Sequence, residues 1–159
     1  MNVLVLDLYH YDPQCFYYLD SQKNALMDGL FTKVIYTHSY FTMNGLYFYF
    51  PVQPSYLEPS KDKYFVNFDP NVTQNKAIMD ILFKLETQIL LHYASFVNRR
   101  KTSNMTMYRH LLKGKFRIHQ SSPPDTFNKY TYVLKISGIW ETDTEFGVTY
   151  KWAEATSTL

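Results

Sequence analysis

Apolar and β-branched residues dominate positions 2–9, and a second run covers 31–41, FTKVIYTHSYF, so both read as strands, the first of them buried. Asn44-Gly45 follows, and that pair is a strong short hairpin signal because both turn positions need positive φ. It leads into Leu46–Phe50, where Phe48 alternates with Tyr47 and Tyr49, so one set faces the core and the other faces out. Prolines 51, 54 and 59 mark an irregular stretch ahead of a short strand over 63–68.

The period then changes. Asp69-Pro70 has the form of a helix start, with Asp as N-cap and Pro at the first helical position. Ile78, Ile81, Leu82, Leu85, Ile89, Tyr93 and Phe96 recur at spacings of three and four, which predicts one long helix reaching about Asn98. A polar connection leads to a strand over Lys115–His119, a loop over Ser121–Asp125 and a closing hairpin, KYTYVLKISGIW, ETDTE, FGVTYKW. Tyr130, Tyr132, Leu134, Ile136 and Trp140 are expected on one face, and Phe146, Val148, Tyr150 and Trp152 on the matching face of the partner. A turn centred on Asp143 sets Trp140 against Phe146, Ile136 against Tyr150, and Lys135 against Lys151. Strands, one long helix and strands again predict a single domain over 1–159 that is mainly β (α+β). Its form is expected to be an OB-like antiparallel β-barrel with one long crossing α-helix.

Charge refines this picture. The net charge is +2, but residues 1–80 carry five Lys/Arg against eight Asp/Glu, and residues 81–159 carry eleven against six. Between Arg99 and His119 there are seven basic side chains and no acid, which is the local field a polyanion would meet. The 15 Tyr and 12 Phe are the other excess, and a tyrosine ring suits half-exposed binding faces as well as cores. A single cysteine, Cys15, leaves no disulfide framework or CxxC site and favours a reducing compartment. No basic leader precedes an apolar run at the start and no run nears the ~20 apolar residues of a membrane helix, so an intracellular, non-membrane protein is expected. The sequons at Asn71 and Asn104 then read as chance.

Catalytic and metal motifs are not apparent. The histidines at 10, 38, 92, 110 and 119 have no zinc-ligand spacing, and the five glycines form no phosphate loop. Asp7, Asp12 and Asp20 could hold a nuclease metal only by convergence in the fold. No enzyme, metal or cofactor is expected. What stands out is cations interleaved with rings, the combination that binds a single strand through its phosphates and base faces. The candidate phosphate contacts are Arg99, Arg100, Lys101, Arg109, Lys113, Lys115, Arg117, Lys135 and Lys151. The candidate stacking rings are Tyr47, Tyr49, Tyr108 and Phe116. Lys135 and Lys151 would oppose each other on the face away from the core, an arrangement a polyanion would relieve.

The closing hairpin, VLKISGIWETDTEFGVTYKW, resembles that of OB-fold single-stranded DNA-binding proteins of large DNA viruses and related phage-type elements. There a strand ending Gly-Ile-Trp turns into a Gly-Val/Leu-Thr-Tyr/Phe-Lys strand, matched here by Ile136, Gly138, Ile139, Trp140, Gly147, Val148, Thr149, Tyr150 and Lys151. The resemblance implies a replication or recombination accessory protein that coats exposed strands, often as a homo-oligomer, in the host nucleus or cytoplasm. Many such proteins end in an acidic tail, and this chain ends Ala-Thr-Ser-Thr-Leu. The leading expectation is a non-catalytic binder of single-stranded nucleic acid, DNA ahead of RNA. The alternative is a structural or assembly protein with an aromatic-rich protein interface.

Overall fold

The computed structural model describes residues 4–97, 100–119 and 130–156, without the side chains of Tyr130 and Thr156. The strands are β1 (Phe16–Tyr18), β2 (Gln22–Lys23), β3 (Leu30–His38), β4 (Phe41–Met43), β5 (Leu46–Phe50), β6 (Tyr56–Pro59), β7 (Tyr64–Asn67), β8 (Thr102–Asn104), β9 (Lys115–Ile118), β10 (Tyr130–Glu141) and β11 (Glu145–Thr156). The helices are α1 (Thr73–Ala94) and the short α2 (Thr106–Leu111). The chain is mainly β, with one long helix packed on a sheet.

The sheet runs β1-β3-β10-β11-β9-β7-β6, with β2 and β4 also on β3, β5 on β10 and β8 on β11. Among the described residues no ladder joins β1 to β6, so the sheet is open and the expected barrel closure is not seen. Nor is it wholly antiparallel: β8 and β9 both pair with β11 in parallel. The long hairpin β10–β11 is the spine that unites the rest.

Local chemistry explains several departures from the sequence pattern. Asn44-Gly45 closes no hairpin, because β4 pairs with β3 while β5 pairs with β10. The tight hairpin lies earlier, with His38 opposite Phe41, and Gly45 at φ +120° carries the chain across to β10. The first segment forms no strand among residues 4–9. Only Leu6 bridges to Phe48, through Leu6 N–H to Tyr47 O at 2.7 Å and Tyr49 N–H to Leu6 O at 3.0 Å, and Leu8 is the residue it buries. The irregular, proline-bearing stretch supplies β6, where Pro59 costs no ladder bond at the open edge.

Asp69 does not cap α1. Its carboxylate accepts the Asn71 N–H at 2.9 Å, and helix begins at Thr73. Buried Asn75 ties the first turn down, accepting Gln53 N–H at 2.8 Å and donating to Gln53 O at 3.1 Å and Asp69 O at 2.9 Å. The helix ends at Ala94, so Phe96 lies beyond it and is exposed, where it meets the Tyr18 ring. Ile78, Leu82, Leu85 and Ile89 are fully covered against the sheet, each contributing roughly 1.5–3 kcal/mol by burial. They join one apolar cluster with Phe48, Phe50, Leu134, Ile136, Val148 and Trp152. No helix among the described residues is long and apolar enough to cross a membrane.

The polar connection contains β8 and α2, neither visible in the hydrophobic pattern. What fixes α2 is a carboxylate from another helix. Glu86, fully buried on α1, accepts the N–H groups of Met107 at 3.0 Å and Tyr108 at 2.8 Å, in the first turn of α2. Those donors would otherwise have no intrahelical partner. Burial raises the Glu86 carboxyl above its ordinary range, opposed by those two N–H bonds.

Candidate nucleic-acid interface

The face of the sheet turned away from α1 follows from simple alternation. Each of Tyr47, Phe65, Arg117, Lys135 and Lys151 stands between core-facing neighbours on its strand: Leu46 and Phe48, Tyr64 and Val66, Phe116 and Ile118, Leu134 and Ile136, and Tyr150 and Trp152. The five therefore share the outer face. They also share one row across it. Tyr47 is opposite Lys135, Lys135 is opposite Lys151, and Arg117 is opposite Phe65. The pair Trp152–Ile118, one residue further along, sets Arg117 beside Lys151. At ~4.8 Å per strand the row spans about 19 Å. Three adjacent cations thus lie between two half-exposed rings.

The cations also cover the rings. Lys135 Nζ is 5.1 Å from the centre of the Tyr47 ring, and Lys115 and Lys63 stand 5.0 and 5.6 Å from that of Phe65. Such contacts are worth about 0.5–1 kcal/mol at exposed sites, so a stacking base can replace them. Tyr49, one pleat along from Tyr47, is exposed on the same face and opposite Val133.

Beside the row a slot of about 520 Å³ opens between β9, β11 and α2. It exists because β8 covers β11 only at Glu145–Gly147 and β9 meets it only around Trp152, which leaves Val148–Tyr150 without a strand on that side. The slot is lined by Lys113, Lys115, Arg117 and Lys151 together with His110 and His119, and no Asp or Glu lines it. Among the described residues no carboxylate forms an ion pair with any of these cations, or with Lys135. Rings of Phe65, Trp140 and Tyr150 complete the walls.

At the α2 side His110 Nδ1 and Tyr150 Oη lie 2.5 Å apart. Burial, with the Glu86 charge behind it, pushes the Tyr150 phenol up to about 12. It therefore stays protonated at neutral pH, and the two groups share one hydrogen bond in which either can donate, according to the imidazole tautomer. Burial, then Lys113 and Arg109, hold His110 below its ordinary value.

Other expected contacts are placed elsewhere. Lys101 points inward: its Nζ is 2.5 Å from Glu141 Oε1 and the pair is largely buried, so this cation is already neutralised. Glu141 also accepts from Tyr93 Oη at 2.9 Å, and Tyr93 meets Thr32 Oγ1 at 2.9 Å, so Lys101 belongs to an internal polar chain. Phe116 is a core residue, packed on Phe50, Phe68, Tyr132 and Trp152; it lines the slot from the core face and is not on the outer row. Tyr108 is half-buried, edge-on to Phe83 of α1, and is absent from row and slot. Arg109 is exposed on α2 and bonds the Asn104 side chain. Arg100 is exposed ahead of β8, and Arg99 lies outside the described residues.

The hairpin register has one correction. Ile136 opposes Tyr150 and Lys135 opposes Lys151 as expected, but a bulge at Ser137 puts Gly138 opposite Thr149. Beyond it the faces exchange. Ile139 and Glu141 turn inward, and Trp140 turns outward opposite Gly147, where an added Cβ would meet the indole at 2.6 Å. The bulge is what delivers Trp140 to the slot.

The early carboxylates serve local structure. Asp7 accepts the Tyr9 N–H at 2.8 Å and lies 3.0 Å from His10 Nδ1, and Asp12 caps the 3-10 turn Pro13–Cys15. The Tyr9 N–H, and then His10, hold the Asp7 carboxyl below its ordinary value. Among the described residues no three His, Cys, Asp or Glu side chains gather as a metal site would need.

Sequence reasoning missed Phe65, Lys63, His110 and Trp140. Alternation in the short β7 could have found the first two, whereas the others depend on α2 and on the bulge. Comparison of the chain with family models, with curated proteins and with solved structures found no match.

Proposed function

We propose that the outer face of the sheet binds single-stranded nucleic acid, DNA ahead of RNA, without catalysing a reaction on it. The observation that carries this reading is the row Tyr47–Lys135–Lys151–Arg117–Phe65 running into a slot lined by cations and no carboxylate. A folded strand of nucleic acid buries its bases, whereas a single strand exposes phosphates and ring faces together. Rings at both ends of a cationic row suit the second. Lys135 opposite Lys151 is unfavourable by a few tenths of a kcal/mol in the free protein, and bound phosphates would remove that cost. In this reading the hairpin's likeness to viral OB-fold DNA-binding proteins reflects a shared task, the coating of strands exposed in replication or recombination. An OB-like ancestry belongs to the same proposal.

The test is fluorescence anisotropy with dT, rU and duplex oligonucleotides at several salt concentrations. If Lys113, Lys115, Arg117, Lys135 and Lys151 each neutralise one phosphate, log affinity falls with log salt at a slope of about −3.5. Tight binding indifferent to salt, or preference for duplex, would overturn the reading.

A second reading rests on a different region. Tyr17, Leu19, Leu30 and Phe96 are exposed around a cavity of about 710 Å³ between the β1–β3 end of the sheet and the end of α1. This surface suits an assembly protein that joins copies or partners through aromatic contacts. Light scattering separates the two readings: an oligomer whose size ignores oligonucleotide favours assembly.

A further inference from the structure

We infer that the slot between α2, β9 and β11 is a seat for a phosphate monoester, the terminal phosphate of a strand lying along the Tyr47–Phe65 row. This rests on the strand-binding reading and adds recognition of a chemical end to it. The row alone supplies what an internal phosphodiester needs, one charge apiece from Lys135, Lys151 and Arg117. The slot holds more than that. Lys113, Lys115 and His110 join Lys151 and Arg117 around one space, and no carboxylate enters it.

A phosphate monoester matches that excess. It carries roughly −1.5 to −2 charge at neutral pH and three terminal oxygens that accept strong hydrogen bonds, against one charge and two free oxygens in a diester. Its oxygens would be met by ammonium and guanidinium groups and by the His110 ring, which the Tyr150 hydroxyl orients through Nδ1. Thr106 and Thr149 add hydroxyls to the lining. The α2 side is walled by Thr106, His110 and Leu111, so a chain entering from the row meets helix there. At about 520 Å³ the slot has the size of a small-ligand site, and Trp140 and Phe65 offer the terminal base a ring. Beneath it Glu86, by fastening the first turn of α2, holds His110 in place without contributing to the lining.

The experiment compares dT oligonucleotides of one length with a 5′-phosphate, a 3′-phosphate or hydroxyl ends, by anisotropy, with thymidine monophosphate titrated separately by calorimetry. One of the phosphorylated ends is expected to bind about tenfold tighter than the hydroxyl-ended strand, the scale of one added charge-assisted bond. Lys113→Gln and His110→Gln should each bring that ratio near one, whatever they do to overall affinity. Lys135→Gln, on the row and outside the slot, should weaken every strand and keep the ratio. Salt-sensitive binding with no preference for a phosphorylated end overturns the seat and leaves the strand reading standing. Saturable binding of thymidine monophosphate, lost in Lys113→Gln, with no strand binding, supports a monoester pocket and overturns the terminus. Absence of both overturns the two together.

Discussion

Lys101 and Lys115 flank the same strand, β11, and their surroundings are opposite. On the β8 side Lys101 is sunk against Glu141, with Tyr93 and Thr32 continuing a buried polar chain and Glu145 reached by the Asn104 amide at 3.5 Å. On the β9 side Lys115 shares a slot with Lys113, Arg117 and Lys151 and no acid. The first arrangement spends its charge inside the protein and holds parts of the fold together. The second leaves its charge to solvent or to a ligand. A run of basic residues is therefore a field only where the fold keeps carboxylates away from it.

The largest effect should come from breaking the buried side. Lys101→Met leaves the Glu141 carboxylate uncompensated and is expected to cost about 3 kcal/mol in urea unfolding, while oligonucleotide affinity of the folded protein stays within twofold. Loss of binding with unchanged stability would move Lys101 to the interface and dissolve the contrast. Next in size is Tyr47→Ala, which removes one ring of the row. Affinity for dT should fall by about 1–3 kcal/mol with little change in the salt slope. A smaller effect sharpens the exposed side: Arg117→Gln should reduce the slope by about 0.7, and an unchanged slope would show that no phosphate reaches it.

The smallest effect is in pH. Burial raises the Glu86 carboxyl in the folded chain, so from about pH 4.5 upward the folded state holds more protons than the unfolded one. Stability then declines as pH rises through the window between the unfolded and folded values. Glu86→Gln should flatten that part of the curve relative to the parent, and parallel curves would contradict the assignment.

The sequence made the closing hairpin, the long helix and the alternation of β5 and β9 readable because each is a local period with a buried face. Lys135 opposite Lys151 was expected from a turn centred on Asp143, but the pairs next to the turn are shifted by one, and it is the bulge at Ser137 that restores this pair. Trp140 was not readable, since one extra residue at Ser137 reverses every side chain after it and nothing in the apolar pattern marks the extra residue. The fate of Lys101 was hidden for another reason: its partner lies forty positions away. Alternation in KFRI places Phe116 on the core face, where it packs in the cluster and meets the slot from within while Lys115 and Arg117 face out. Asn44-Gly45 pointed to a hairpin whose strands found other partners, β3 and β10, through long-range packing.

The place of β10 and β11 at the centre of the sheet bears on the order in which a nascent chain can assemble. Before residues 130–156 leave the ribosome, β8 has no strand partner among the described residues and β5 has only its bridge to Leu6. Among the described residues no ladder then joins the β1–β4 group to the β6–β7–β9 group. Two partial sheets with open edges must therefore wait for the spine that unites them, and until it arrives their unpaired backbones are exposed to mispairing.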